Sequence, residues 1–113
     1  MAELLRLVTS ATGTTTGSST EVKRVSKAIT VACDFSNSGG SCTALTIALQ
    51  GSIDGANFYE LAEHAFTAGE LTALKAMFHV ANKPIKFVKG QVKTLTDTGT
   101  TTVNITAMEE ELY

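Results

Sequence analysis

Regular alternation of apolar and polar residues is the strongest pattern in this chain. Three stretches show it, namely Lys27 to Phe35, Thr43 to Gln50 and Thr101 to Met108. Their apolar positions are Ile29, Val31, Cys33, Phe35, then Leu45, Ile47, Leu49, then Val103, Ile105, Ala107. A period of two puts alternate side chains on opposite faces of a strand. The pattern therefore predicts three half-buried strands.

Two glycine-containing segments predict how these strands are joined. Gly39-Gly40 lies between the first two strands and accepts positive φ angles without strain, which predicts an antiparallel hairpin. Asp54-Gly55 is a strong turn signal, and the apolar run that restarts at Phe58 predicts a second hairpin.

The stretch from Ala65 to Val80 is ambiguous. Four apolar residues recur there at helical spacing, and we expect at most one short helix, around residues 68–78, while an irregular crossover fits as well. Pro84 lacks a backbone N–H, so it predicts the entry to a new strand that runs from Ile85 to about Leu95.

These elements predict a mainly β fold, an antiparallel and jelly-roll-like β-sandwich, over residues 21–108. Residues 10–20 form a Ser/Thr/Gly run without an apolar side chain larger than Ala, which is typical of a flexible linker. The predicted organisation is an N-terminal arm and linker (1–20), the sandwich (21–108) and a C-terminal tail (109–113).

Composition narrows the class of protein. A chain of 113 residues with 43% hydrophobic and 18% charged residues suits one folded domain. The net charge is −2 and the nine Lys and Arg residues are scattered along the sequence, which argues against a nucleic-acid partner. The sequence has neither an apolar run of about 18 residues nor a leader pattern, so we expect no membrane partner and synthesis in a cytoplasm.

Chemically reactive residues are few. The chain has two His, two Cys and dispersed carboxylates, without a nucleophile elbow, phosphate loop or zinc spacing, so we expect no enzymatic activity, cofactor or metal. Alternation puts Glu60 and His64 on one strand face, where a solvated edge is the simplest interpretation. Turn formation, not calcium binding, explains Asp54-Gly55. Cys33 and Cys42 fall near the facing ends of the predicted hairpin, where either two free thiols or a cross-strand disulfide fits.

Three segments together resemble a known family. The region Leu45–Leu61 contains TIALQGSIDGANFYEL, and HVANKPIKFVKGQV and TTTVNITA follow it. This order resembles small β-sandwich structural proteins of tailed bacteriophages and prophages, over Ala28 to Ala107, with Phe58 where that pattern commonly has Trp. The resemblance implies a non-enzymatic virion protein, either a capsid decoration (cement) protein on the capsid surface, often trimeric and bound to the major capsid protein, or a tail or head-completion subunit.

The termini are the predicted contact sites of such a protein. The apolar arm would gain most by docking on another chain, and the C-terminal tail offers a counterpart. The predicted interaction residues are Leu4, Leu5, Leu7, Val8, Leu112 and Tyr113. The alternative for the arm is an edge strand of its own sheet. Outward Thr rows also suit subunit contacts, since interfaces are depleted in charge. A carbohydrate-binding sandwich module is a further alternative, although the chain has no Trp.

Overall fold

The computed structural model describes residues 4–109, without the side chains of residues 23–27, 82–84 and 109. It contains seven strands and one helix in this part of the chain. In chain order they are β1 (Leu4–Ala11), β2 (Thr15–Thr16), β3 (Thr20–Ser38), β4 (Cys42–Ser52), β5 (Tyr59–Ala65), α1 (Ala68–Ala73), β6 (Lys75–Asp97) and β7 (Thr100–Glu109).

The strands pair antiparallel in the order β1-β7-β3-β6-β4-β5, and β2 pairs with β6. The long strand β6 connects two layers. Its first part pairs with β3, with Val80 opposite Ile29, and its second part pairs with β4, with Gly90 opposite Leu49. One layer therefore holds β1, β7, β3 and the start of β6, and the other holds the end of β6, β4 and β5. The predicted antiparallel β-sandwich is confirmed.

The core lies between the layers and consists of the residues that alternation selects. All ten apolar positions of the three predicted strands are buried. Val31, Leu49 and Ile105 are each 0% exposed, and full burial of such a side chain contributes about 1.5–3 kcal/mol. The layers approach closely at Gly90, where an added Cβ would lie 2.8 Å from the Leu7 Cβ. A larger residue at position 90 would force β1 away from β6.

The predicted hairpin between β3 and β4 is wrong, because the connection at Gly39-Gly40 crosses from one layer to the other. Ser38 pairs with Thr100 of β7, whereas Cys42 pairs with Asp97 of β6. The connection between β6 and β7 makes the same crossing beside it. The hairpin of β4 with β5, by contrast, is confirmed.

The helix and the strand after it differ from the predicted boundaries. The one short helix is confirmed, but it ends at Ala73, where Leu74 adopts a left-handed φ of 66°. Strand β6 then begins at Lys75, ten residues before the start that Pro84 suggested. Pro84 is accommodated because pairing is irregular there: Ala81 lies opposite Ala28 and Ile85 opposite Ser26, so β6 has two more residues than β3 in this interval.

The N-terminal segment is an edge strand of its own sheet. Strand β1 pairs with β7, with Leu4 opposite Met108, and the two-residue strand β2 within the Ser/Thr/Gly run pairs with β6. Directly after β2, Gly17 packs against the Leu7 carbonyl, and the Gly17 N–H donates to the Gly90 carbonyl at 2.8 Å. The N-terminal arm is therefore an edge strand of its own sheet, as the alternative interpretation had it.

Candidate assembly surfaces

The end of β4 and the connection to β5, residues 52–58, form a loop that its own side chains hold in shape; we call it the Asp54 loop. Asp54 Oδ1 accepts hydrogen bonds from the backbone N–H groups of Ala56 and Asn57, both at 2.9 Å, and Oδ2 accepts from Asn57 Nδ2 at 3.0 Å. The Ser52 hydroxyl donates to Oδ1 at 2.9 Å and accepts from the Gly55 N–H at 2.9 Å. These bonds hold the pKa of the Asp54 carboxyl far below its usual range, with the Asn57 N–H as the largest cause. The loop is preorganised.

This ordered loop presents apolar side chains to solvent. Ile53 is 78% exposed, and Tyr59, at the start of β5, is 69% exposed. The Lys89 ammonium lies 4.2 Å from the centre of the Phe58 ring, a cation–π contact that fixes both side chains beside the loop. Gly55, with φ of 81°, packs on the Phe87 ring, where an added Cβ would lie 3.3 Å away. A rigid scaffold that exposes an aliphatic and an aromatic side chain is suited to anchor a partner.

A second candidate surface is the outer face of β1, β7, β3 and the start of β6. The strand register aligns Leu4, Met108, Thr30 and His79 in one row, and Arg6, Thr106, Ala32 and Met77 in the next. Leu4, Met108 and Met77 are 49%, 46% and 61% exposed. His79 Nδ1 lies 2.8 Å from the Thr30 hydroxyl. The face combines threonines with exposed apolar groups and few charges, which fits the predicted outward Thr rows.

The prediction that Glu60 and His64 share one face of the strand is wrong. A β-bulge at Leu61 changes the phase of β5, because Gln50 pairs with Glu60 while Leu49 pairs with Ala62. Glu60 and Glu63 therefore share a face, and both accept hydrogen bonds from the Lys93 ammonium, 2.8 Å away in the case of Glu60. The two carboxylates raise the pKa of Lys93.

His64 belongs instead to a corner built around α1. It stacks on Phe78, with ring centres 5.7 Å apart, and its Nε2 lies 2.9 Å from Glu70 Oε1. Glu70 and Thr67 form a capping box that starts the helix, and the Thr67 N–H, followed by His64, lowers the pKa of the Glu70 carboxyl. These contacts join the helix to β5 and β6, so His64 and Glu70 both have structural roles.

The two cysteines are free thiols in the structure. Cys33 faces the core, and burial, followed by the negative charge of Asp34, raises its pKa to about 12. Burial also raises the pKa of the half-buried Cys42. The two residues are not cross-strand neighbours, because β3 pairs with β6 and β7 and not with β4.

The predicted interaction residues lie in different environments. Leu5, Leu7 and Val8 are buried in the core of their own chain, whereas Leu4 is half-exposed on the outer face. Leu112 and Tyr113 lie outside the described residues. Alternation alone could not have found Ile53 and Tyr59. The available signal was two large apolar residues flanking a Ser-x-Asp-Gly turn whose polar groups are satisfied internally.

Two kinds of site are lacking in the described part of the chain. No group of three or more His, Cys, Asp or Glu side chains in residues 4–109 is placed to hold a metal ion. None of the helices described is long and apolar enough to cross a membrane.

Comparison with solved structures places this fold among several kinds of protein. The SPBc2 prophage-derived protein YomS matches with a TM-score of 0.59 and 12% identity, over 96% of this chain and 94% of that chain. The VP2 subviral particle of infectious bursal disease virus matches with a TM-score of 0.54 and 12% identity, over 97% of this chain and 32% of that chain. A CBM4 structure matches with a TM-score of 0.53 and 8% identity, over 96% of this chain and 71% of that chain.

At such identities the likeness shows a shared β-sandwich fold and not a shared function. No family model and no curated protein sequence matches the chain. The chain is about as long as YomS, whereas it spans about a third of the VP2 chain.

Proposed function

We propose that this protein is a non-enzymatic structural component of a tailed-phage virion that works by binding other protein subunits. The sequence resemblance to phage β-sandwich proteins supports this, as does the fold shared with YomS and VP2, a prophage and a virus protein. Within that class we propose a capsid decoration protein. It is made in the host cytoplasm, binds the major capsid protein and sits on the capsid surface as a trimer.

One observation carries the proposal: the exposed Ile53 stands on, and the exposed Tyr59 stands beside, a loop whose polar groups bond to one another. Association costs less conformational entropy when the contact residues are already ordered. A decoration protein must add interface to a finished shell without refolding, and a rigid sandwich with preformed apolar anchors does so. The outer face, with Leu4, Met108 and Met77, offers a second area for contacts between copies.

Co-sedimentation with the expanded, DNA-free capsids of the encoding phage tests the proposal. We expect binding that saturates at a fixed copy number per capsid, and a weaker affinity for Ile53→Asp. Thr14→Asp is a matched control, since Thr14 is exposed on the Ser/Thr/Gly run. Removal of residues 1–10 is a poor test, because it also removes Leu5, Leu7 and Val8 from the core. Absence of the wild-type protein from the capsid pellet would contradict the decoration role.

Two alternatives have their own tests. For a tail or head-completion subunit, immunogold labelling of intact virions would mark the tail or the portal vertex and leave the shell unlabelled. For a carbohydrate-binding module, the exposed Tyr59 and the CBM4 likeness are the supporting observations. Specific glycan-array binding that Tyr59→Ala abolishes would establish that function in place of the assembly role.

A further inference from the structure

The first part of β6 has one side without a partner strand. Residues 75–81 pair with β3, with Lys75 opposite Asp34, and the pairing of β6 with β4 and β2 begins only at Phe87. In the part of the chain that the structure describes, β3 is therefore the only neighbouring strand of this segment. Its other side is an open edge of the sheet. We call residues 75–81 the β6 edge.

The hydrogen bonds to β3 identify which backbone groups face the open side. The Phe35 N–H donates to the Leu74 carbonyl at 3.1 Å, one position beyond the last pair of the β3–β6 ladder. In antiparallel strands, successive residues direct their N–H and C=O groups to alternate sides. The groups of the even-numbered residues of the β6 edge therefore face β3, and those of Lys75, Met77 and His79 face outward.

The β6 edge lacks the features that usually protect an open edge, which are bulges, prolines and charged side chains. Strand β1 has register irregularities on both sides of Val8, and β5 has the bulge at Leu61. The register of the β6 edge with β3 is regular throughout, and Pro84 lies beyond it. Lys75 is its only Lys, Arg, Asp or Glu residue, and Met77 is 61% exposed. Such an edge is suited to pair with a further strand.

We propose that the β6 edge pairs antiparallel with the β6 edge of a second copy, with the two Met77 residues opposite each other on a twofold axis. In this register Lys75 lies opposite the second copy's His79, and the outward groups of three residues on each copy form about six hydrogen bonds. Two layers join into one continuous sheet. The inference goes beyond the proposed function, because this contact would also link neighbouring trimers on a shell.

Self-pairing in this register is complementary on both faces of the sheet. On the outer face, Lys75 lies opposite Asp34 of its own chain, so its charge is balanced and like charges do not face each other across the axis. On the inner face, Ala76 lies opposite the second copy's Phe78, and both are half-buried in the single chain. Pairing therefore places a small side chain beside a large one and covers both.

Exposed apolar surface lies at the centre of the proposed contact. Met77 borders a shallow depression that Ala32 and Ala76 also line, and on the axis each Met77 packs on the other. The interface is small, since stable complexes bury about 1,200–2,000 Å² in total. We therefore expect reversible association in solution, which the high local concentration of copies on a shell would strengthen.

The terminal residues outside the described part of the chain are competing occupants of the β6 edge. Leu4 shares a row with His79 but lies three strand spacings away, about 14 Å, whereas residues 1–3 span at most about 10 Å. Glu109 lies two strand spacings from the β6 edge, about 10 Å, and residues 110–113 span at most about 14 Å. The C-terminal residues are therefore included in the test.

Sedimentation equilibrium of the full chain, from micromolar to millimolar concentration, tests the inference with Met77→Lys as the variant. This change places like charges opposite each other on the axis. Met108→Lys is the matched control, because Met108 is also exposed on the outer face but lies two strands from the β6 edge. The wild type and the control should reach at least about twice the average mass of Met77→Lys, whose association should be at least about tenfold weaker. Equal masses for the wild type and Met77→Lys, or equal losses for the two variants, would overturn the inference.

A cysteine on the axis tests the register. Directly opposed residues of a hydrogen-bonded antiparallel pair have Cα atoms about 5.5 Å apart, a distance that a disulfide can bridge. In a Cys42→Ser background, mild oxidation should therefore convert Met77→Cys, and not Met108→Cys, into a disulfide-linked dimer on a non-reducing gel. Cross-linking of both variants, or of neither, would refute the proposed pairing.

The C-terminal residues are tested in the full chain by the Leu112→Ser, Tyr113→Ser double variant. It should associate as the wild type does, and stronger association would make the chain's own C-terminal segment the occupant of the β6 edge. None of these measurements involves a capsid, so the decoration role and this inference can fail separately.

Discussion

The two ends of the sandwich differ in how their polar groups are used. At one end, which we call the crossing end, the β3–β4 and β6–β7 connections both cross between the layers and are hydrogen-bonded to each other. The Asn37 amide donates to the Thr98 carbonyl at 3.0 Å and to the Thr101 hydroxyl at 2.8 Å, and the Gly40 N–H donates to Asn37 Oδ1. At the other end the Asp54 loop satisfies its own polar groups and leaves Ile53 and Tyr59 in solvent.

The comparison separates stability from binding. The crossing end bonds one segment of chain to another, so a change there acts on the whole fold. The Asp54 loop bonds within itself, so its exposed side chains can change with little effect on the core. Assembly residues are expected where the fold depends on them least.

The largest effect at the crossing end should come from Gly99→Ala. Gly99 has a φ of 72°, and an added Cβ would lie 2.3 Å from the Ser38 carbonyl oxygen. A left-handed conformation alone costs a non-glycine residue about 1–2 kcal/mol, and the clash adds to it. We expect the free energy of unfolding in urea to fall by more than about 2 kcal/mol. Gly13→Ala, where an added Cβ meets nothing within 4 Å, should be nearly neutral; equal losses for both would contradict this account.

The second prediction contrasts a buried and an exposed aliphatic residue of neighbouring segments. Leu49→Ala removes a 0% exposed side chain and should lower the free energy of unfolding by about 2–5 kcal/mol. Ile53→Ala should change it by less than about 0.5 kcal/mol and should weaken capsid binding instead. Urea titrations of both variants check the contrast, and a large stability loss for Ile53→Ala would show that the loop is part of the fold's support.

The third prediction concerns the pH dependence of the Asp54 loop. Because the folded-state pKa of Asp54 is lowered, its contribution to stability is present above the unfolded-state pKa and is lost as the pH falls toward the folded-state pKa. The urea midpoints of wild type and Asp54→Asn should therefore differ at pH 7 and converge as the pH falls below the usual aspartate range. Faster amide exchange at Ala56 and Asn57 in the variant is the accompanying signature. A midpoint difference that does not change with pH would be the opposing result.

The smallest effect is expected for the two cysteines, which should differ only in their rate of modification by a thiol reagent. Burial and a pKa of about 12 keep Cys33 protonated at pH 8, whereas Cys42 is half-buried. A thiol reagent should modify Cys42 first and Cys33 only on unfolding, as peptide mapping would show. Equal native rates would mean that the crossing end opens readily.

Alternation predicted the inward residues of β3, β4 and β7 because a period of two depends only on which face is buried. It could not predict pairing, since Gly39-Gly40 is compatible with a hairpin and with a crossing between layers. The start of β6 that was predicted from Pro84 is wrong, because an irregularity in strand pairing accommodates a residue that lacks a backbone N–H. The candidate site could not be predicted, because an alternating pattern gives no sign that Ile53 and Tyr59 are left in solvent beside the Asp54 loop.

The pairing of β1 with β7 has a consequence for biosynthesis. Leu4 is synthesised long before its partner Met108, so β1 cannot pair with β7 until almost the whole described chain has been made. Contacts between residues so distant in sequence slow folding. Until then the apolar side of β1 has no native partner strand, and a chaperone that binds short apolar segments would find it there. Closure of this layer should therefore be a late step in the folding of the described chain.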